Sequence, residues 1–459
     1  MICKSVEEVT ARKSNIGVIG LGSIGYSTAL HYALKGYPVI GYDIAPEKVK
    51  AIKAAALDMP GLDEWIQGSA KDLTSSGLFQ ATDSLDHFWR SRPGIIFIAV
   101  PTEEKGTPSN SIVDTVITDV ASRVGVNGYA PVVIIESTMT PGTATNIVIA
   151  AFERYGLKIG QDVFVGISPR RDWFGVGGRS VKTMERIYAG VSSACYENVH
   201  AALAIICEKL YKASSYQVAE LTKCLENAFR FVELSLANQF SLAYPGVNII
   251  EVLELASTKW NMNHYVPSVR VGGPCIPVAG RYVVRGAEFP EALSIVQAAL
   301  SGEEVVIHRL ISYFQRKKIQ KALVLGLSYH ANMKISVFSA AQSLISLLRL
   351  NGIKYSVVDP LYTKQEIEAQ SGAEAMMLLD DIGEFDAVVL AAGHAAFNQQ
   401  EVIDWIRNSN IELIVDNASM WNNVHWDNKT YMRIGDGNMF EQVFNYGNVM
   451  MPIHDDSSQ

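Results

Sequence analysis

Ile16-Gly-Val-Ile-Gly-Leu-Gly-Ser-Ile-Gly25, followed by Pro38-Val-Ile-Gly-Tyr-Asp43, decides the architecture. An apolar run enters a glycine turn, the turn opens a helix, and a second apolar run ends in an aspartate. That is strand, helix, strand within about 30 residues, the span of a βαβ unit. Gly20 permits the tight turn, Gly22 lets the backbone approach a pyrophosphate, and Gly25 lets the helix pack close to the strand. With Ser23 and Ile24, the turn offers backbone N–H donors at the positive end of a helix dipole. Asp43 arrives 18 positions after Gly25, where a carboxylate accepts from ribose hydroxyls and repels a 2′-phosphate. The pattern points to NAD rather than NADP. A bare turn with a capping aspartate is the competing reading, and the paired spacing speaks against it.

Outward from this unit the strands continue at Gly94–Val100, Pro131–Ile135 and Asp162–Ile167, each ending in a small or polar cluster. In an open parallel sheet such strand ends line the ligand crevice. From about Ser193 to Thr258 the period changes to 3.6. Ala219–Asn238 is the clearest helix, with Leu221, Leu225, Phe229, Val232 and Leu236 in one apolar stripe. The alternation restarts with a strand at Lys321–Gly326, a helix at Ser339–Leu350 and strands at Tyr355–Asp359, Ala387–Ala391 and Leu413–Asp416. This half lacks GxGxxG. The expected fold is α/β: an N-terminal Rossmann domain (1–195), a central helical and dimerising segment (196–305), and a C-terminal Rossmann-like domain (306–459). The polar tail at 454–459 is expected to fray.

A net charge of -8 argues against a general nucleic-acid binder. The five cysteines show no metal-ligand spacing, so no metal is expected and a reduced, cytoplasmic setting fits. No apolar stretch reaches the ~18 residues of a membrane span, and the first residues lack a secretory h-region.

Two local features carry chemistry. Cys275 sits in Val271-Gly-Gly-Pro-Cys-Ile-Pro-Val278, a shaped loop that can present a thiol; an inert buried thiol is the equally open alternative. Lys223 and Asn227 are four apart and share a helix face, where an ammonium and a carboxamide can stabilise an oxyanion. A solvated helix face explains the same pair.

Taken in order, GLGSIGYSTAL, IAVPT, ESTMTPGT, AELTKCLENAFR, VGGPCIPV and the GLSY…VVDP half resemble the UDP-glucose/GDP-mannose dehydrogenases over nearly the whole chain. The resemblance implies NAD-dependent oxidation of a primary alcohol to a carboxylate through an aldehyde and a cysteine thioester. It makes Cys275 the nucleophile, Lys223 and Asn227 oxyanion stabilisers, and Thr138 a placer of water or substrate. Cofactor contacts would extend to Val100, Pro101, Thr102, Ser137 and Thr138. Substrate contacts would come from Tyr265, Arg270, Gly272, Gly273, Lys223 and Asn227, and a homodimer is implied.

The chain departs from the pattern at four places. Ser168-Pro169-Arg170 stands where the family has N/S-P-E, Ala279 replaces an aspartate, Arg270 replaces a glycine, and Val337 replaces an arginine. With Arg171 beside Arg170, these changes predict a substrate more anionic at its reacting end than a neutral hexose, held by Arg170, Arg171 and Arg270. A single-step dehydrogenase of the hydroxyacid or 6-phosphogluconate kind, or a non-catalytic NAD-binding protein, remains open.

Overall fold

The computed structural model describes residues 2–438 apart from Asp58, Pro60, 172–179 and Pro274. The tail at 454–459 lies outside the described residues. The chain forms two compact units. One comprises Met1–Arg230 with Cys275–Gln297, the other Phe231–Pro274 with Ala298–Gln459. The stretch 196–305 thus contributes residues to both.

The first unit holds an eight-stranded sheet: β1 (Ile16–Ile19), β2 (Val39–Tyr42), β3 (Phe79–Thr82), β4 (Ile95–Ile98), β5 (Val132–Ile135), β6 (Phe164–Ile167), β7 (Glu185–Gly190) and β8 (Lys209–Lys212). Their order is β8-β7-β6-β5-β4-β1-β2-β3, parallel except where β7 meets β6. Alternate side chains feed two cores. Ile95, Phe97, Val132 and Ile134 join one face, and Ile96, Ile98, Val133 and Ile135 the other. This two-sided burial explains why these strands read as continuous apolar runs. Helix α1 (Ser23–Leu34) covers one face. Strand order reverses between β1 and β4, so the crevice outside their carboxyl ends is the switch point where doubly wound sheets bind ligands.

Helix α2 spans Tyr216–Ala243, longer at both ends than the periodic core of its sequence. Its apolar stripe faces outward: Leu221, Leu225 and Phe229 are 46%, 47% and 61% exposed. Ala219, Glu220, Cys224, Asn227 and Ala228 are buried instead. Helix α3 (Ile276–Gly286) begins immediately after Cys275.

The second unit has a six-stranded parallel sheet: β9 (Lys321–Leu325), β10 (Lys354–Val358), β11 (Glu374–Ala375), β12 (Ala387–Leu390), β13 (Leu413–Asp416) and β14 (Thr430–Arg433), in the order β11-β10-β9-β12-β13-β14. Helix α4 (Ala340–Leu350) is capped by the Ser339 hydroxyl, which accepts from Gln342 N–H. Among the described residues no helix is long and apolar enough to cross a membrane.

Candidate active site

The register that pairs Ile19 with Ile98 brings the Gly20 turn beside Ala99 and Val100. Gly20 holds φ +90°, and a Cβ there would lie 2.3 Å from the Ala99 carbonyl oxygen. A Cβ at Gly25 would lie 1.8 Å from the Gly20 carbonyl oxygen, so only glycine lets α1 sit this close. At Gly22, the N-cap of α1, a Cβ would meet nothing within 4 Å. The second glycine therefore faces open space at the helix start, where Ser23 and Ile24 follow, as an incoming pyrophosphate requires.

Asp43 is 6% exposed. It accepts from Leu21 N–H at 2.8 Å and Ala45 N–H at 3.0 Å, and the Lys48 ammonium lies 2.9 Å from Oδ2. Burial opposes its ionisation, but Lys48 and the two backbone donors outweigh burial and hold the carboxyl below its usual range. These residues fit an NAD ribose and pyrophosphate.

The loops after β4 and β5 are tied together. Ser137 Oγ accepts from Val100 N–H at 2.9 Å and donates to the Val100 carbonyl at 2.7 Å. Pro101 between them is exposed. Thr102 Oγ1 donates to the Thr138 carbonyl at 2.6 Å, and the Tyr282 hydroxyl lies 2.8 Å from that same oxygen. The Tyr282 hydroxyl also donates to the Thr102 carbonyl at 3.0 Å, so Tyr282, Thr102 and Thr138 are joined in one hydrogen-bonded chain. Burial pushes Tyr282 up to about 12. Tyr282 lies seven residues beyond Cys275 on α3, so the chain fastens the cysteine's helix to the cofactor loops.

On α2, Lys223 Nζ donates to Asn227 Oδ1 at 3.3 Å and lies 3.9 Å from Glu226. The pair expected from the four-residue spacing therefore forms. Cys275 is exposed. Desolvation of the sulfur by the surrounding protein nevertheless raises the thiol pKa, and the Lys223 ammonium offsets only part of that rise. Ala279, one turn on, is fully buried and brings no acid–base group.

The three arginines singled out in the sequence all form ion pairs. Arg170 is 3% exposed and turns beneath α1, bonded to Thr28 Oγ1 and 3.6 Å from Glu136. Glu136 also accepts from Arg186 at 2.8 Å and from Thr28 at 2.6 Å. Arg171 pairs with Glu226 at 2.7 Å. In the second unit, Arg270 pairs with Glu303 at 2.7 Å and also contacts Ser343. Each guanidinium meets a carboxylate of its own unit and is charge-balanced within the fold. Burying an unpaired charge is costly enough to explain the pairing of Arg170, whose side chain is 1% exposed.

Also in the second unit, Tyr265 bonds to Glu233, and Gly273 (φ +97°) packs under the Tyr329 ring, where a Cβ would come within 2.8 Å. A Cβ on Gly272 would make only ordinary contacts. Lys334, Ser336, Val337, Gln342, Tyr362 and Gln370 line an open recess of about 540 Å³. Val337 lies on it, half exposed, and Lys334 pairs with Glu366 at 2.8 Å.

The second sheet also repeats the cofactor turn's skeleton. Gly326 has φ +91°, and Asp359 accepts from Leu327 N–H at 2.7 Å as Asp43 does from Leu21. Here, however, His394 Nε2 lies 3.0 Å from the aspartate. Its Nδ1 accepts from Asn332 N–H at 2.9 Å, so Nε2 carries the proton and donates. Asp359 is thereby closed off from a ribose.

Sequence reading missed Lys48, Tyr282, Glu220 and Glu136. For Glu220 a signal existed, since positions 220, 224 and 227 share helical spacing, but the louder stripe at 221, 225 and 229 masked it.

Residues 14–212 match the NAD binding domain of the UDP-glucose/GDP-mannose dehydrogenase family, 217–301 its central domain and 323–423 its UDP binding domain. The chain belongs to the UDP-glucose/GDP-mannose dehydrogenase family. It is an NAD-dependent oxidoreductase with the family's α/β architecture. Among relatives, the UDP-N-acetyl-D-mannosamine dehydrogenase of Pyrococcus horikoshii is 29% identical over 394 residues, covering 81% of this chain and 90% of the relative. The UDP-N-acetyl-D-glucosamine 6-dehydrogenase of Pseudomonas aeruginosa is 25% identical, covering 83% and 91%. The solved structure of the Pyrococcus horikoshii UDP-D-ManNAc dehydrogenase superposes with a TM-score of 0.78 at 25% identity, covering 92% of this chain and 99% of that one.

Proposed function

We propose that this family member oxidises the primary alcohol of a UDP-N-acetylhexosamine to a carboxylate, through an aldehyde and a thioester on Cys275. The observation that carries the reading is the Lys223 ammonium, bonded to Asn227 at 3.3 Å, whose charge acts on Cys275 and offsets part of the rise that burial imposes on its thiol. Bound NAD supplies the hydride acceptor for each of the two oxidations. Gly20, Gly22, Ser23, Ile24, Gly25 and Asp43 hold its pyrophosphate and ribose side, and Val100, Pro101, Thr102, Ser137 and Thr138 the other.

Cys275 forms the carbon–sulfur bond as the carbonyl π pair moves onto oxygen, and Lys223 and Asn227 stabilise that charge. Loss of hydride leaves the thioester; water then breaks the carbon–sulfur bond, releasing the acid and the thiol. Thr138 positions the water or the substrate. With Ala279 in place of a carboxylate, Thr138 orients that water and the Lys223 ammonium polarises the thioester carbonyl it attacks. Tyr265, Arg270, Gly272 and Gly273 are the further substrate-recognition residues of this reading. The free cysteines are in keeping with a cytoplasmic setting.

The test is the count of NADH per UDP-N-acetylmannosamine or UDP-N-acetylglucosamine consumed. Two per sugar are expected, with no acid formed by Cys275→Ala. One per sugar with free aldehyde would favour a single-step dehydrogenase, the reading that Ala279 lends weight to.

The outward stripe of α2 is in keeping with a homodimer. Leu221, Leu225 and Phe229 expose an apolar ridge that a second copy of the same helix would cover. Phe229→Glu is expected to turn a dimer into a monomer in sedimentation velocity; an unchanged mass would remove α2 from the interface.

A further inference from the structure

We infer that Glu220 is a positioning residue that holds the loop bearing Thr138 in register with the helix face bearing Lys223 and Asn227. The inference rests on the proposed roles of those three residues. The helical run that starts at Ala144 leaves N–H donors at its start, as every helix does. Such donors are usually satisfied by a neighbouring Ser, Thr or Asp. Here Thr143 does not cap; its hydroxyl donates to the Thr140 carbonyl at 2.6 Å. The acceptor comes from α2 instead. Glu220 Oε2 accepts from Gly142 N–H at 2.8 Å and Oε1 from Ala144 N–H at 3.0 Å, with the residue 3% exposed.

One turn further along α2, the Cys224 thiol lies 3.1 Å from the Met139 carbonyl and donates to it. Two successive turns of α2 therefore grip the loop at both ends, at Met139 and at 142–144. Thr138 adjoins the first grip, and Lys223 adjoins Cys224. A carboxylate is the only common side chain offering an acceptor oxygen to each of two N–H groups with charge assistance.

Ionisation sets the strength of this grip. Burial pushes Glu220 up to about 7, while the N–H groups of Gly142, Ala144 and Thr143 favour its charged form. The ionisable groups facing it on its own helix are Cys224 and, beyond it, Lys223. The loop 138–144 contains no charged residue. On α3, whose Gly286 packs on Pro141, Arg285 turns to the Pro108 carbonyl. Below about pH 7 Glu220 keeps a proton and stays seated on the loop; above it the buried charge, held only by these N–H groups, favours opening of the loop to water.

Amide hydrogen exchange of the full chain tests this without any substrate. After correction for intrinsic rates, protection of residues 142–146 is expected to be about tenfold smaller at pH 8 than at pH 6, because opening the loop releases a charged carboxylate into water. Glu220→Gln should abolish the difference. In turnover of a UDP-N-acetylhexosamine, the same variant should lower kcat severalfold more than it changes KM and remove an ionisation near pH 7. Equal protection at both pH values in the wild-type chain would overturn the inference, as would a Glu220→Gln chain whose exchange and pH profile match wild type. Failure of the sugar to turn over, with the exchange result intact, would count against the proposed substrate while leaving the grip of Glu220 standing.

Discussion

Glu136→Gln is the sharpest test of how the first unit is held together. Glu136 lies 2.8 Å from Arg186 and 3.6 Å from Arg170, with all three side chains at 0–1% exposure. At an effective dielectric of ~20, the two attractions are worth about 6 and about 5 kcal/mol before desolvation is charged against them. Replacing the whole network by apolar groups would cost little, but removing one partner strands the others, at about 3–5 kcal/mol. Glutamine keeps the shape and the Thr28 hydrogen bond while removing the charge, leaving two buried guanidiniums without it.

For a unit of this size, that loss lowers the midpoint on the order of 10 °C. The assay is thermal unfolding followed by circular dichroism at pH 7. The first unit's transition is identified as the one that NAD raises, because a ligand stabilises the unit that binds it. Adding Arg170→Met to Glu136→Gln should recover part of the loss, since one of the stranded charges is gone. A fall below about 2 °C for the single variant, or a double variant worse than the single, would refute the reasoning.

Two further outcomes follow from the site. Glu220 ionises near 7 in the folded chain against an ordinary 4.5, so its contribution is complete below about 4.5 and is lost as pH rises through about 7. That loss is on the order of 3 kcal/mol, so urea midpoints should decline less between pH 5 and pH 8 in Glu220→Gln than in wild type; parallel curves would contradict it. Asp43→Ser removes the carboxylate that repels a 2′-phosphate and frees Lys48 beside it. KM for NADP should then fall about tenfold or more relative to NAD; an unchanged preference would show that the discrimination lies elsewhere.

Much was legible in the chain before any fold was known, because the signals were local. Three glycines and an aspartate at fixed spacing specify a turn and a strand end that no distant contact needs to supply, and Gly20, Gly25 and Asp43 adopt those roles. Apolar runs such as Ile95–Ile98 declared buried strands on their own. Short or polar strands such as Phe79–Thr82 and Lys209–Lys212 gave no such signal, since their place in the sheet depends on neighbours far away in sequence.

Helical period identified α2 but not which of its faces would be covered. The louder apolar stripe turned outward, and the quieter face with Glu220 and Cys224 met the loop at 139–144. The arginines show the same division. Composition records that Arg170, Arg171 and Arg270 are positive, but whether a cation awaits a ligand or is neutralised depends on which carboxylate folding brings beside it. Glu136, Glu226 and Glu303 were 34, 55 and 33 residues away along the chain. Periodicity and turn chemistry act over a few residues and can be read directly; pairing of buried charges is settled by long-range packing, which appears only once the chain has closed on itself.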